Sequence, residues 1–94
     1  MKVKVTELQR ICDVLLNRFG SRGIEDIELD KDFYWDIPAA QRYDPYVEPT
    51  THTLGQLETD WNELREVLGN DKAAINYHIV WLSAIMRAIG EVSE

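Results

Sequence analysis

The chain has 94 residues, of which 45% are hydrophobic and 29% are charged, and its formal net charge is −7. This composition argues against global disorder, which combines low hydrophobicity with high net charge. It also argues against binding to duplex nucleic acid or an anionic membrane. Both depend on Lys and Arg, and the ten basic side chains here are spread from end to end. We therefore expect residues 1–94 to form one domain. We expect its partner to be a protein.

The cysteine content and the N-terminal sequence favour a cytoplasmic location. Cys12 is the single cysteine, so no intramolecular disulfide can form. Small secreted domains often carry several disulfides, so one cysteine favours a reducing compartment. The N-terminal residues lack the apolar stretch of a signal peptide, and no apolar run approaches the length of a membrane span.

A first helix is predicted over about residues 7–19. Thr6 and Gln9 have the spacing of a capping box, and Gly20 is suited to end the helix. Apolar residues recur between them at helical spacing: Leu8, Ile11, Cys12, Leu15, Leu16 and Phe19.

Residues 21–51 are predicted to be an irregular segment. It contains three prolines, each of which removes a backbone donor and favours extended geometry before it. Ile27 and Leu29 alternate with acids, which suggests one short strand that pairs with Val3 and Val5. Such a long connection is unusual in a compact domain, so we expect its aromatic side chains to anchor it.

Two further helices complete the prediction. A capping-box pair, Thr53 and Gln56, precedes an apolar stripe over about residues 53–68. Residues 76–89 are apolar nearly all round, which is typical of a buried helix. The predicted fold is therefore mainly α: a compact three-helix bundle with residues 76–89 at its core. The acidic irregular segment joins the first two helices, with one short strand pair as an option.

Acidic and aromatic residues are interleaved in residues 24–48. This stretch holds eight acids and two bases, and five of the nine aromatic residues. In one interpretation the aromatic rings anchor the segment and the acids are merely solvated. In the other, exposed rings surrounded by acids bind a basic partner. Both can hold if Phe33 and Trp35 are anchors while the tyrosines face outward. The candidate partner-binding residues are Asp32, Tyr34, Asp36, Tyr43, Asp44, Tyr46 and Glu48.

The sequence predicts no catalytic residue, no metal site and no cofactor. Cys12, His52 and His78 are too scattered to bind zinc, and Cys12 lies among apolar residues that would leave its thiol inert. The acids that begin at Asp30 do not follow calcium-loop spacing, since Trp35 occupies the position that needs glycine. We therefore expect a protein that is not an enzyme.

Three motifs resemble those of a family of small bacterial proteins. One runs from Phe33 to Pro38 and contains Tyr-Trp-Asp-Ile-Pro, and Tyr43-Asp44 follows it. The second is Thr53-Leu54-Gly55-Gln56-Leu57 with Asp60-Trp61, and the third is the helical stretch Val80 to Ile85. The resemblance covers roughly residues 24–91 and implies a compact bacterial cytosolic domain. It implies no catalytic residue, because no activity is assigned to that family.

Two functions from different classes agree with these patterns. The first is a non-catalytic protein-binding module with an acidic, aromatic surface, in its sharper form an inhibitor or immunity-type protein that covers a basic enzyme. The alternative is a self-assembling structural protein. In that case a second copy would cover an apolar patch at Tyr77, Trp81 and Ala84, giving a homodimer.

Overall fold

The computed structural model describes residues 1–69 and 76–92, without the side chains of Ala39 and Asn76. Four helices and two short strands occur in this part of the chain, so the mainly α class is confirmed. In chain order the elements are α1 (Val5–Ser21), β1 (Phe33–Asp36), α2 (Ala39–Arg42), β2 (Thr53–Gln56), α3 (Leu57–Glu66) and α4 (Asn76–Val92).

The first helix, α1, is longer than predicted at both ends. Lys4 is its N-cap and makes no side-chain capping bond, so the predicted Thr6–Gln9 capping box is wrong. At the C-terminal end, the N–H of Gly23 donates to Gly20 O at 3.0 Å and that of Ile24 to Phe19 O at 2.9 Å. This is a Schellman ending, and it places its left-handed residue at Gly23, with φ 75°, rather than at Gly20.

The two strands form an antiparallel hairpin, but from other residues than those that the sequence predicts. Phe33 pairs with Gln56, Tyr34 with Gly55, and Trp35 with Leu54. The predicted strand at Ile27 and Leu29 is therefore wrong, because no strand forms there or near Val3 and Val5. The predicted helix start at Thr53 is also wrong, since residues 53–56 lie in β2.

A residue distant in sequence, Asp32, organises the start of α3. The backbone N–H of Leu57 donates to Asp32 O at 2.7 Å, and that of Glu58 donates to Asp32 Oδ1 at 2.9 Å. The first backbone donors of a helix have no partner within the helix, so these bonds replace the predicted cap. Gln56, the N-cap in sequence, makes no capping bond of its own but donates from Nε2 to Asp32 Oδ2 at 2.7 Å.

The only close packing between helices in the described part of the chain is that of α3 on α4. Leu57 and Ile85 are buried there, with exposures of 6% and 5%. The prediction that residues 76–89 form a fully buried helix is wrong: Ile79 and Leu82 are exposed, because a single neighbouring helix covers only one stripe of α4. No residue of α1 is buried, so the predicted three-helix bundle is not confirmed.

Candidate functional site: an acidic aromatic surface

The outer face of the hairpin is apolar and uncovered. Phe33 and Trp35 are 60% and 70% exposed, and Leu54, which pairs with Trp35 across the strands, is exposed beside it. The ring of His52 lies 5.9 Å from that of Trp35, centroid to centroid. The prediction that Phe33 and Trp35 anchor the segment is therefore wrong, because strand alternation turns both rings away from α3.

The inner face of the hairpin carries Tyr34, which the sequence interpretation placed outside. Its hydroxyl donates to Asp60 Oδ2 at 2.5 Å, and the Asp60 side chain is buried. Burial, together with the hydrogen bond to Asp60 and its negative charge, raises the pKa of Tyr34 well above the usual value of 10.0. Tyr34 is thus the anchor of the segment.

Gly55 makes room for the Tyr34 ring. A Cβ at position 55 would lie 2.6 Å from both Cε atoms of that ring, and closer still to Cζ. The two residues face each other in the register of the hairpin. Only glycine therefore lets the ring cross β2 and reach Asp60.

Asp32, the first candidate binding residue, is engaged within the chain. One carboxylate oxygen accepts from the Gln56 side chain and the other from the Glu58 backbone. These two bonds, the one from Gln56 contributing most, lower the pKa of Asp32 below its usual value of 3.8. The carboxylate therefore stays ionised at neutral pH and holds β1, β2 and the start of α3 together.

Asp36 and α2 are linked by an ion pair. Arg42 Nη2 lies 2.6 Å from Asp36 Oδ1, and both side chains are partly solvated. A pair of this kind contributes at most about 1 kcal/mol to stability, so its main effect is to orient α2 beside β1. The charge of Asp36 is partly neutralised by this pairing.

Gln41 fastens the loop that follows α2. Its Oε1 accepts from the backbone N–H groups of Thr50 and Thr51 at 2.8 and 3.2 Å, while its Nε2 lies 3.4 Å from Thr50 Oγ1. The loop between these points presents Tyr43 and Tyr46 to solvent, with exposures of 80% and 94%. Both tyrosines face outward, as the sequence interpretation has them.

The remaining candidates lie in the same loop. Asp44 is half-buried and its Oδ1 accepts from the backbone N–H of Tyr46 at 3.0 Å, which shapes the turn under that ring. Glu48 is exposed. The structure thus separates the seven candidates into two groups. Those engaged inside the chain are Asp32, Tyr34 and, in part, Asp36 and Asp44. Those free to meet a partner are Tyr43, Tyr46 and Glu48, joined by the unpredicted Phe33 and Trp35.

Three residues that shape the site were missed from the sequence: Asp60, Gln41 and Gly55. Asp60 and Gly55 belong to the quoted motifs, but neither shows a partner until the hairpin is formed. Gln41 carries no signal at all, because nothing in the residues around it indicates its bonds to Thr50 and Thr51.

We call the exposed side chains of Phe33, Trp35, Tyr43, Tyr46 and Glu48 the acidic aromatic surface, with Asp36 and Asp44 at its edge. In residues 1–69 and 76–92, no group of three or more His, Cys, Asp or Glu side chains is placed to hold a metal ion. Over the same residues no helix is both long and apolar enough to cross a membrane. What this surface offers chemically is exposed aromatic contact area together with the carboxylate of Glu48.

No known protein family matches the chain, and neither a curated protein nor a solved structure matches it. The resemblance of the motifs at residues 33–38 and 53–61 stays a prediction. The function proposed below rests on the geometry and charge of the surface.

Proposed function

We propose that this protein is a non-catalytic binding module whose acidic aromatic surface binds a basic protein. The observation that carries the proposal is the exposure of four large rings within residues 33–46: Phe33, Trp35, Tyr43 and Tyr46. Monomeric soluble proteins rarely leave a contiguous apolar patch uncovered, and such patches mark interaction sites. Tyr and Trp are also the residues most often found to dominate binding energy at interfaces.

The charge around these rings favours a basic partner. Residues 24–48 carry eight acids against two bases, and Glu48, in the same loop as Tyr43 and Tyr46, is exposed. Such a field raises the rate of encounter with a cationic surface and is screened by salt. We therefore expect binding to weaken as salt concentration rises. An inhibitor or immunity-type role is one form of this function, and the identity of the partner decides it.

The experiment is affinity capture at low salt from a lysate of the source organism, followed by reconstitution with the purified captured protein. The test variant is Tyr46→Ala with Glu48→Gln, both exposed and outside the bonds that hold the hairpin. The control is Leu68→Ala with Glu66→Gln, which removes one exposed apolar and one exposed acidic side chain at the same two-residue spacing.

The expected result is a basic protein that binds the wild type and the control with equal affinity. Its affinity for the test variant should fall by about 5-fold to 30-fold, since loss of an exposed aromatic anchor costs about 1–2 kcal/mol. Equal binding by all three proteins would refute the proposed surface. Binding that does not change with salt would refute the role given to the acids.

A further inference from the structure

The apolar face of α1 is uncovered along its length. Leu8, Ile11 and Leu15 are 49%, 55% and 43% exposed, and no residue of the helix is buried. A shallow, mainly apolar concavity on the same helix is lined by Glu7, Arg10, Ile11, Val14 and Leu15. An amphipathic helix gains most of its stability by burying such a face, so this face needs an occupant.

The exposed area of the whole chain is larger than that of a compact monomer of the same mass. Its accessible surface is 8440 Å², whereas a compact monomer of 10.9 kDa exposes roughly 5,600 Å². The excess is about 2,800 Å². A specific dimer buries about 800 Å² per subunit, and obligate dimers bury about 1,000–2,500 Å² per subunit. The excess over the whole chain is therefore larger than the area that one subunit of a stable dimer buries.

The first 22 residues differ in net charge from the rest of the chain. Residues 1–22 hold five basic and two acidic side chains, a net charge of +3, although the whole chain is at −7. The remaining residues 23–94 hold five basic and fifteen acidic side chains, a net charge of −10. The positive charge lies at the two ends of α1, on Lys2, Lys4 and Arg22, because the helix itself holds two basic and two acidic side chains.

We infer that α1 of one copy lies on the acidic aromatic surface of a second copy, in a reciprocal dimer. The inference rests on the proposed function and names the basic partner of that surface. Each copy donates its α1 and accepts that of the other, as a two-fold axis requires. Leu8, Ile11 and Leu15 meet the exposed rings, while the basic residues of 1–22 face the acids.

The first measurement is the mass in solution by light scattering and sedimentation across a range of concentrations. The wild type is expected at twice 10.9 kDa, with dissociation favoured by salt. Leu15→Asp should raise the dimer dissociation constant by about 100-fold or more, because each dimer carries the change twice. Asn17→Asp is the matched control: it adds the same carboxylate about 200° around the helix and should leave the dimer intact.

The second measurement locates the contact in the wild-type chain. Unlabelled and ¹⁵N-labelled protein are mixed, equilibrated and treated with a carbodiimide, which joins lysine to carboxylate without a spacer. Cross-links from Lys2 or Lys4 to Asp44 or Glu48 are expected in which the two peptides carry different labels. Mixed labels show that the contact joins two chains.

The outcomes separate this inference from the proposed function. A monomer at all concentrations, or cross-links confined to one label, would overturn the dimer, and the second result would mean that α1 folds onto its own chain. If a basic protein is still captured through Tyr46 and Glu48 in that case, the proposed function stands alone. A dimer that survives Leu15→Asp, with helix content unchanged by circular dichroism, would also overturn the inference.

Discussion

Replacing Tyr34 by phenylalanine tests the central feature of the structure, the hydrogen bond from its hydroxyl to the buried Asp60. The phenylalanine ring still lies across Gly55. The substitution therefore removes one oxygen atom and leaves the packing intact. The bond is short, at 2.5 Å, and its acceptor is only 7% exposed. A hydrogen bond to a charged group contributes about 1.5–3 kcal/mol, and leaving its buried partner unpaired has a similar cost.

We therefore expect Tyr34→Phe to lower the free energy of unfolding by about 2 kcal/mol, which corresponds to roughly 8–16 °C in melting temperature for a domain of this size. Circular dichroism during heating and urea titration measure both quantities. Tyr43→Phe is the matched control, since that tyrosine is 80% exposed. It should melt like the wild type.

A double-mutant cycle with Asp60→Asn makes the test specific. If the two side chains interact directly, the effects should be non-additive by about 1–2 kcal/mol. Additive effects, or a Tyr34→Phe variant that melts with the wild type, would refute the inward placement of Tyr34. The orientation assigned to Phe33 and Trp35 would then also fail, because strand alternation ties it to that of Tyr34.

Three further predictions concern the same region, and each has its own measurement. Gly55→Ala should cost about 2 kcal/mol or more in a urea titration, because the added methyl displaces the Tyr34 ring; a variant as stable as wild type would contradict the contact. Gln41→Met should cost about 1 kcal/mol and speed amide exchange at Thr50 and Thr51, whereas unchanged exchange would show that Gln41 does not hold the loop. The pKa of Tyr34 is raised in the folded state, so its stabilising contribution is complete below pH 10.0 and is lost as pH rises beyond that value. The unfolding free energy of the wild type should therefore fall more steeply above pH 10 than that of Tyr34→Phe, and parallel curves would contradict the burial of the hydroxyl.

The last stability prediction concerns Asp32. Its pKa is lowered in the folded state, so its contribution is present above pH 3.8 and is lost as pH falls below that value. Asp32→Asn should melt at a lower temperature than wild type at neutral pH, and the difference should shrink in acid. A difference in melting temperature that is the same at pH 7 and pH 3 would show that the charge of Asp32 has no part in holding α3.

The long helices could be predicted from the sequence because their signals are local. In α1 the apolar residues recur every three or four positions, and the predicted range of 7–19 lies within Val5–Ser21. The same holds for residues 76–89 within Asn76–Val92. The prediction of what surrounds these helices was wrong. An apolar face indicates that a helix packs against another surface, but not that this surface belongs to the same chain.

The hairpin was missed because its signals are distant in sequence. Thr53 and Gln56 have the spacing of a helix cap, yet Thr53 pairs with Asp36 across the strands, and Asp32 caps α3 instead. A local pattern and a long-range pairing competed for the same four residues. Three hydrogen bonds to Asp32 accompany the strand form, from Gln56 Nε2 and from the N–H groups of Leu57 and Glu58.

The candidate surface was predicted as a segment but not residue by residue. Composition alone identifies residues 24–48 as acidic and aromatic, because counting residue types requires no knowledge of where the side chains point. Which ring faces inward depends on what lies opposite: Gly55 opens a space and Asp60 supplies an acceptor on only one side of β1. Neither is visible from the residues next to Tyr34.

The run from Asp32 to Trp35 therefore serves two purposes that alternate along the strand. Asp32 and Tyr34 hold the hairpin to α3, while Phe33 and Trp35 face solvent. Substitutions chosen for charge alone, such as Asp32→Asn, would weaken folding together with any binding. Substitutions at Trp35 leave the internal bonds in place. A loss of binding in Trp35→Ala at unchanged melting temperature would thus report on the surface itself, which the acids within the hairpin cannot do.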